Sequence, residues 1–336
     1  MLLTAAPDLL SYQRQTRLTA DLKARLEISS REAVTGKRED IASVVGGDVG
    51  SVHLLQKALD DITQDSRINA LSGARLDLMS SSLSAVRGVI GGLDTQALSA
   101  ITMPDSIGLG TIARQAEANL RSAMSLLGTA QGNRKLFSGD ATDQIPLASP
   151  DKLLNDIRSI MQAGPDPVSI DLALDVYFDA PAGGFATDIY QGGDGNAPPS
   201  FLADGSKIEF GVRADDQALR DTLRGLAVLA SAGSTGYDLA SNEFSAVFTG
   251  GAGFVSKGKS GIIQLESNLG IYSGLLEKAN DQQSIEKLTI AQTLNSVIGR
   301  DQFEAAAELK QLETQLQASY LITARLANLN LSNFIR

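Results

Sequence analysis

From Val52 to Ile90 the chain keeps one heptad frame without a break: Val52, Leu55, Leu59, Ile62, Ser66, Asn69, Gly73, Leu76, Ser80, Leu83, Arg87 and Ile90. A frame of that length commits the segment to helix, because a period near 3.5 residues keeps one row of side chains on one face. Seven of the twelve positions are apolar and most of the rest are small, so large contacts are expected at the ends and a close helix approach between them. Such a helix is roughly 60 Å long, more than a compact domain of this size requires. A partner frame returns late in the chain at Ile262, Leu265, Leu269, Tyr272, Leu276, Ala279, Ile290 and Val297, weakened at Gln283 and Glu286. The expected rod core is Val52, Leu55, Leu59, Ile62, Leu76 and Leu83 against Ile262, Leu265, Leu269 and Leu276.

Each end carries a shorter frame of its own. Residues 8–34 read as helix, with Leu18, Leu22 and Leu26 one turn apart, and Gly36, Gly46, Gly47 and Gly50 loosen the next stretch of chain. After Gly299-Arg300-Asp301 a new frame begins, offset by two residues, through Ala305, Leu309, Leu312, Leu316, Ser319, Thr323 and Leu326. A phase break at a glycine implies two helical segments joined by a hinge. Gly91-Gly92 and Pro104 mark further breaks, residues 112–127 read as a third helix, and strand and turn signals come after it at 136–139 and 145–147.

Residues 150–236 differ in kind, holding six of the nine prolines. Residues 168–178 and 207–212 alternate like strands, and 214–231 reads as a helix covering them. A glycine patch at Gly250, Gly251 and Gly253 precedes the returning frame. The expected fold is mainly α: an elongated helical bundle built from N- and C-terminal heptad helices, with an inserted small α/β or β-rich domain. The expected division is 1–45 and 300–336 as the two halves of a terminal coiled coil, 46–149 and 237–299 as the rod with its hairpin, and 150–236 as the insertion.

The chemistry is as informative as the pattern. A net charge of −10 argues against nucleic acid or anionic membrane as partner, since both require a basic face. Aromatic residues make up 5% and Trp is absent, which suits close-packed helices better than a compact globule. The chain has no Cys and one His, His53, beside a heptad position on what should be an exposed flank, so neither a metal site nor a Ser-His-Asp triad finds its residues. Asp60-Asp61 and Asp215-Asp216 are neighbours that a helix would point about 100° apart, so they read as solvated charge rather than a carboxylate pair. Thr35-Gly36-Lys37 lacks the first glycine and the strand of a phosphate loop, and Gly192-Gly-Asp-Gly-Asn196 supplies one carboxylate, too few for a calcium loop. No catalytic residue, metal or cofactor is expected. Met1-Leu-Leu-Thr4 has no basic n-region, and Pro7 and Asp8 stop the apolar stretch early, so no cleavable leader is expected and no run spans a bilayer.

The segment 301–336 resembles the C-terminal helix of the flagellin superfamily, in its opening Asp301, its Leu316-Gln-Ala-Ser-Tyr320 run and its Leu331-Ser-Asn-Phe-Ile335 ending. Glu32-Ala-Val-Thr-Gly-Lys-Arg38 is similar to the turn after that family's first helix, and Leu136-Phe-Ser-Gly139 with Ile145-Pro-Leu147 to its hairpin. The ending resembles the hook-associated protein 3 branch most, whereas the Arg-Leu-Ser-Ser-Gly and Asp-Asp-Ala-Ala-Gly stretches of filament flagellin are absent. The resemblance covers about 1–148 and 255–336. It implies a non-enzymatic subunit joining hook to filament, extracellular, and exported through the flagellar secretion apparatus without a cleaved signal. Its implied partners are further copies of itself in a ring or helical layer, a neighbouring hook-associated protein, flagellin and an export chaperone. The implied assembly stripe is Leu18, Leu22 and Leu26 with Leu309, Leu312, Leu316 and Leu326. The alternatives are filament flagellin itself and a soluble binding or enzymatic module carried by 150–236.

Overall fold

The computed structural model describes residues 9–44, 46, 49–102, 105–196, 199–201, 207–208 and 211–334. The readings made at residues 1–8, at Gly47 and Pro104, and at Ile335 fall outside them. Along the chain run α1 (Leu9–Thr35), α2 (Ile41–Val44), α3 (Val49–Val89), α4 (Leu93–Thr102) and α5 (Ser106–Leu127). A hairpin of β1 (Ala130–Gln131) and β2 (Arg134–Lys135) comes next, then α6 (Pro150–Ala163), α7 (Pro167–Asp179) and a π turn at Phe185–Ile189. Another antiparallel pair, β3 (Ser200–Phe201) and β4 (Lys207–Ile208), precedes α8 (Gln217–Ser231), α9 (Asn242–Ile298) and α10 (Gln302–Phe334). The fold is mainly α. It divides into two compact units, one formed by Met1–Thr63 with Ser284–Arg336 and the other by Gln64–Gln283.

In the first unit α1 and α10 pack along each other antiparallel. The helix breaks expected at Gly36 and Gly299 exist, and they face one another. Gly36 takes the left-handed conformation (φ +65°) that ends a helix, and Lys37 bridges Gly299. The Arg38 N–H donates to Ile298 at 2.8 Å and the Arg300 N–H to Gly36 at 2.9 Å. Asp301 caps α10, its carboxylate accepting from the N–H groups of Phe303 and Glu304. Nearby, Val52, Leu294 and Ile298 form a small core, with Ile41, Leu55, Leu59 and Val297 half-buried against it.

The second unit holds the main core, to which Leu76, Leu83, Ile262, Leu269 and Leu276 contribute, and Leu265 packs from the edge. Gly73 brings α3 close to Leu276, as the small residues implied. One part of the frame is displaced. From Asn69 onward the buried partners are Ser72, Met79 and Val86, each one residue before the expected Gly73, Ser80 and Arg87.

Several expectations for the middle are corrected. Residues 168–178 form helix α7, not a strand. Their alternation is made of two rows spaced four apart, Ile170, Leu174 and Phe178 inward and Val168, Leu172 and Val176 outward. The start signal lay in Asp166-Pro167: Asp166 caps the N–H groups of Val168 and Ser169 at 3.0 Å, and proline suits the first helical position. Ser149-Pro150 opens α6 in the same way. The strand expected over 207–212 is confined to Lys207–Ile208 among the described residues. The described part of 150–236 is therefore mostly helical, α6, α7 and α8, with the short antiparallel pair β3–β4.

The helix expected to cover the middle is instead its centre: from Leu219 to Leu229 nearly every residue of α8 is buried, with α5 and α6 packed on it. The glycine patch at 250–253 does not interrupt α9 either. Glycines let α8 and α9 touch backbone to backbone. A Cβ on Gly225 would stand 2.5 Å from the Val255 nitrogen, and one on Gly258 would stand 2.2 Å from the Thr222 hydroxyl.

Candidate assembly surface

The terminal helices hold six of the seven residues of the expected stripe in described positions, and they divide between two roles. Leu312 is buried at 3% exposure, and Leu22, Leu26, Leu309 and Leu316 are half-buried. Leu18 is 58% exposed, and the side chain of Leu326 lies outside the described residues. The seam between the helices is thin and partly polar. Beside Leu312 it buries Ala305, Ser29 and Ser319; Ser29 donates to the Ala305 carbonyl at 3.0 Å, and the Thr19 and Ser319 hydroxyls meet at 3.2 Å. Lys23 lies over the Tyr320 ring.

One charged cluster closes the seam at the turn. Arg300, mostly buried, reaches Glu308 at 2.7 Å, Glu304 at 3.5 Å and Glu32 at 3.6 Å. Arg25 adds a longer contact to Glu308 from α1.

Several large apolar side chains of this unit stay exposed that the frames did not single out: Phe303 at 90%, Val34, Leu54, Ile285, Leu288, Leu321 and Ile322. They fall between the heptad positions. They lie on α1, α3, α9 and α10.

The second unit supplies two buried polar arrangements. Asn69 donates to Asn280 at 3.0 Å and to Gln283 at 3.2 Å. Gln283, which looked like a weakness in the frame, is thus a buried polar layer that fixes helix register. Arg224, 1% exposed, spans Asp175 at 2.5 Å and Asp171 at 2.6 Å and stacks on the Phe254 ring at 3.8 Å.

The remaining candidates for chemistry have structural partners. His53 is exposed, as expected. Asp60 and Asp61 are solvated, Asp61 pairing with Lys57 at 2.6 Å; this partner raises the lysine pKa. Asp215 and Asp216 are not solvated charge on a helix, because they precede α8 half-buried: Asp215 pairs with Arg213 at 2.8 Å, and Asp216 accepts the Arg213 N–H at 2.9 Å. Burial pushes the Asp216 pKa up. Gly192-Gly-Asp-Gly-Asn196 lies against the 136–139 turn, Gly193 donating to Ser138 and Asp140 to Gly195, each at 2.9 Å. Among the described residues no three His, Asp or Glu side chains are grouped to hold a metal, and no helix is long and apolar enough to cross a membrane.

This is a helical chain whose first and last helices pair and whose longest helices lie between them in sequence. The fold is the one seen in hook-associated proteins. The crystal structure of Bacillus cereus FlgL superposes with a TM-score of 0.52 at 16% identity, over 72% of this chain and 99% of that one. A flagellar hook-associated protein from Vibrio parahaemolyticus superposes with a TM-score of 0.53 at 12% identity, over 73% of this chain and 95% of that one. At these identities the likeness is one of fold. No family model and no curated protein matches the chain by sequence.

Proposed function

We propose that this chain is a structural, non-enzymatic subunit of the bacterial flagellum that joins hook to filament. The observation that carries the reading is the divided character of the α1–α10 pair, a thin seam beside a set of exposed large apolar side chains. Ordering two long helices costs conformational entropy that so small a seam offsets poorly. Covering the exposed row by neighbouring copies supplies the missing burial, so ordering and assembly are one event. Its fold, shared with FlgL of Bacillus cereus, supports the same reading.

Residues 1–45 and 300–336 would be the assembling part, and 46–149 with 237–299 the subunit's own framework. The partners that fit are further copies in a ring or helical layer, an adjoining hook-associated protein and flagellin, with an export chaperone for the terminal helices. Nucleic acid and membrane do not fit a net charge of −10. The site of action is extracellular, on the flagellum. Adding purified protein to isolated hooks and to filament seeds tests the reading. A layer that forms on hook ends and stops is expected; unlimited growth from filament seeds would make the chain a filament flagellin.

A further inference from the structure

Helix α7 carries three rows, of which only one belongs to the core. Ile170, Leu174 and Phe178 are buried, while Val168, Leu172 and Val176 stand 68%, 61% and 64% exposed in a line one turn apart. Between them runs a row of carboxylates, Asp171, Asp175 and Asp179. An exposed row of three branched apolar residues on a well-capped helix is not required by the fold, which is already satisfied on the opposite face.

The row does not end at the helix. Val168 continues into a cavity of about 260 Å³ between α7, α8 and α9, whose apolar wall is Leu174, Val228, Val247, Gly251 and Phe254. Asp171 and Arg224 are part of its lining. The three carboxylates converge on Arg224, with Asp179 also 3.8 Å from Arg220, so the charge around the row is acidic even after both arginines are counted with Asp166 at the cap. Asp171 and Asp175 remain at least half exposed beyond their contact with Arg224.

We infer that α7 and the adjoining cavity form a docking surface for a basic amphipathic helix of another protein. Its apolar side chains lie along Val168, Leu172 and Val176, with one entering the cavity, and its Lys or Arg residues meet Asp171, Asp175 and Asp179. This is the helix-in-groove mode, in which anchors at one-turn spacing give affinity and flanking charges give orientation. The surface belongs to the second unit and α1 and α10 to the first, so its occupancy and the assembly reading are tested independently.

The test uses the full chain and a fluorescent model helix of Leu and Lys at amphipathic spacing, followed by anisotropy, with a Leu–Glu helix as comparison. The double variant L172Q and V176Q removes the apolar row while leaving every charge and the Arg224 cluster in place. Binding of the Leu–Lys helix is expected to weaken about tenfold or more in the variant, at unchanged helical circular dichroism, and the Leu–Glu helix should not bind. Equal binding of the Leu–Lys helix to both proteins would overturn the proposal, as would equal binding of the Leu–Glu helix. Self-association of the unmodified chain that the variant abolishes would assign the surface to a second copy instead.

Discussion

The carbonyl of Gly36 accepts the N–H of Arg300 at 2.9 Å, tying the glycine that follows α1 to the residue before the Asp301 cap of α10. Two breaks far apart in sequence are thereby one joint, with a left-handed glycine on one side and the Arg300–glutamate cluster on the other. Gly36→Ala should cost about 1 kcal/mol, since a side chain at positive φ is strained and its Cβ would also crowd Gln302. Hydrogen exchange along α1 and α10 reads that loss, and protection in the second unit should not change.

Leu312 and Leu18 separate pairing from assembly. Truncating Leu312, buried in the seam, should destabilise the pair by about 2 kcal/mol or more and lower its exchange protection. Leu18→Gln, at an exposed position, should leave stability within about 0.5 kcal/mol yet impair layer formation on hook ends. If both variants lost helix protection equally, Leu18 would belong to the seam after all.

Glycines of α8 and α9 should respond in opposite directions. Gly225→Ala drives a methyl into the backbone of α9 and should lower the melting temperature sharply. Gly253→Ala faces open space inside a helix and should stabilise by about 0.5–1 kcal/mol. Thermal denaturation of the two variants side by side makes the comparison.

Asn69→Ala removes a donor from a buried layer and leaves Gln283 without it, which should cost about 1–3 kcal/mol. A double-mutant cycle with Gln283→Ala should return a coupling of about 0.5 kcal/mol or more, because the two side chains share one bond.

Asp216 predicts a pH dependence with a definite sign. Its folded pKa is raised by burial, so the folded state favours the protonated acid, and the stability this contributes is present at low pH and lost as pH rises through the raised value. Asp216→Asn keeps an acceptor for the Arg213 N–H without the buried charge. Relative to the unmodified chain it should gain stability near neutral pH, and the difference should shrink as the solution is acidified below the ordinary aspartate range. Urea titrations at several pH values measure it.

Much of the architecture was legible because long helices write their period into the chain. The frames located the end of α1 and the Gly299 break, and Leu76, Leu83, Ile262 and Leu269 from those frames are buried. The middle was harder for identifiable reasons. Val168 to Phe178 alternates because two opposite helix rows are both apolar, and periodicity alone cannot tell that pattern from a strand; the Asp166-Pro167 cap could have decided it. The glycines of α9 read as punctuation, although helical glycine also serves close approach, which depends on a partner helix that sequence does not name. The proposed assembly stripe could be read only as a set of apolar heptad positions, because which members face the other terminal helix and which face outward depends on rotation about the helix axis. Leu18 and Phe303 show how much that rotation matters.

The most direct measurement is to locate labelled protein by electron microscopy on isolated hook–filament assemblies. A single band where the hook meets the filament is predicted. Label spread along the filament, or no label on the assemblies at all, would contradict a junction subunit.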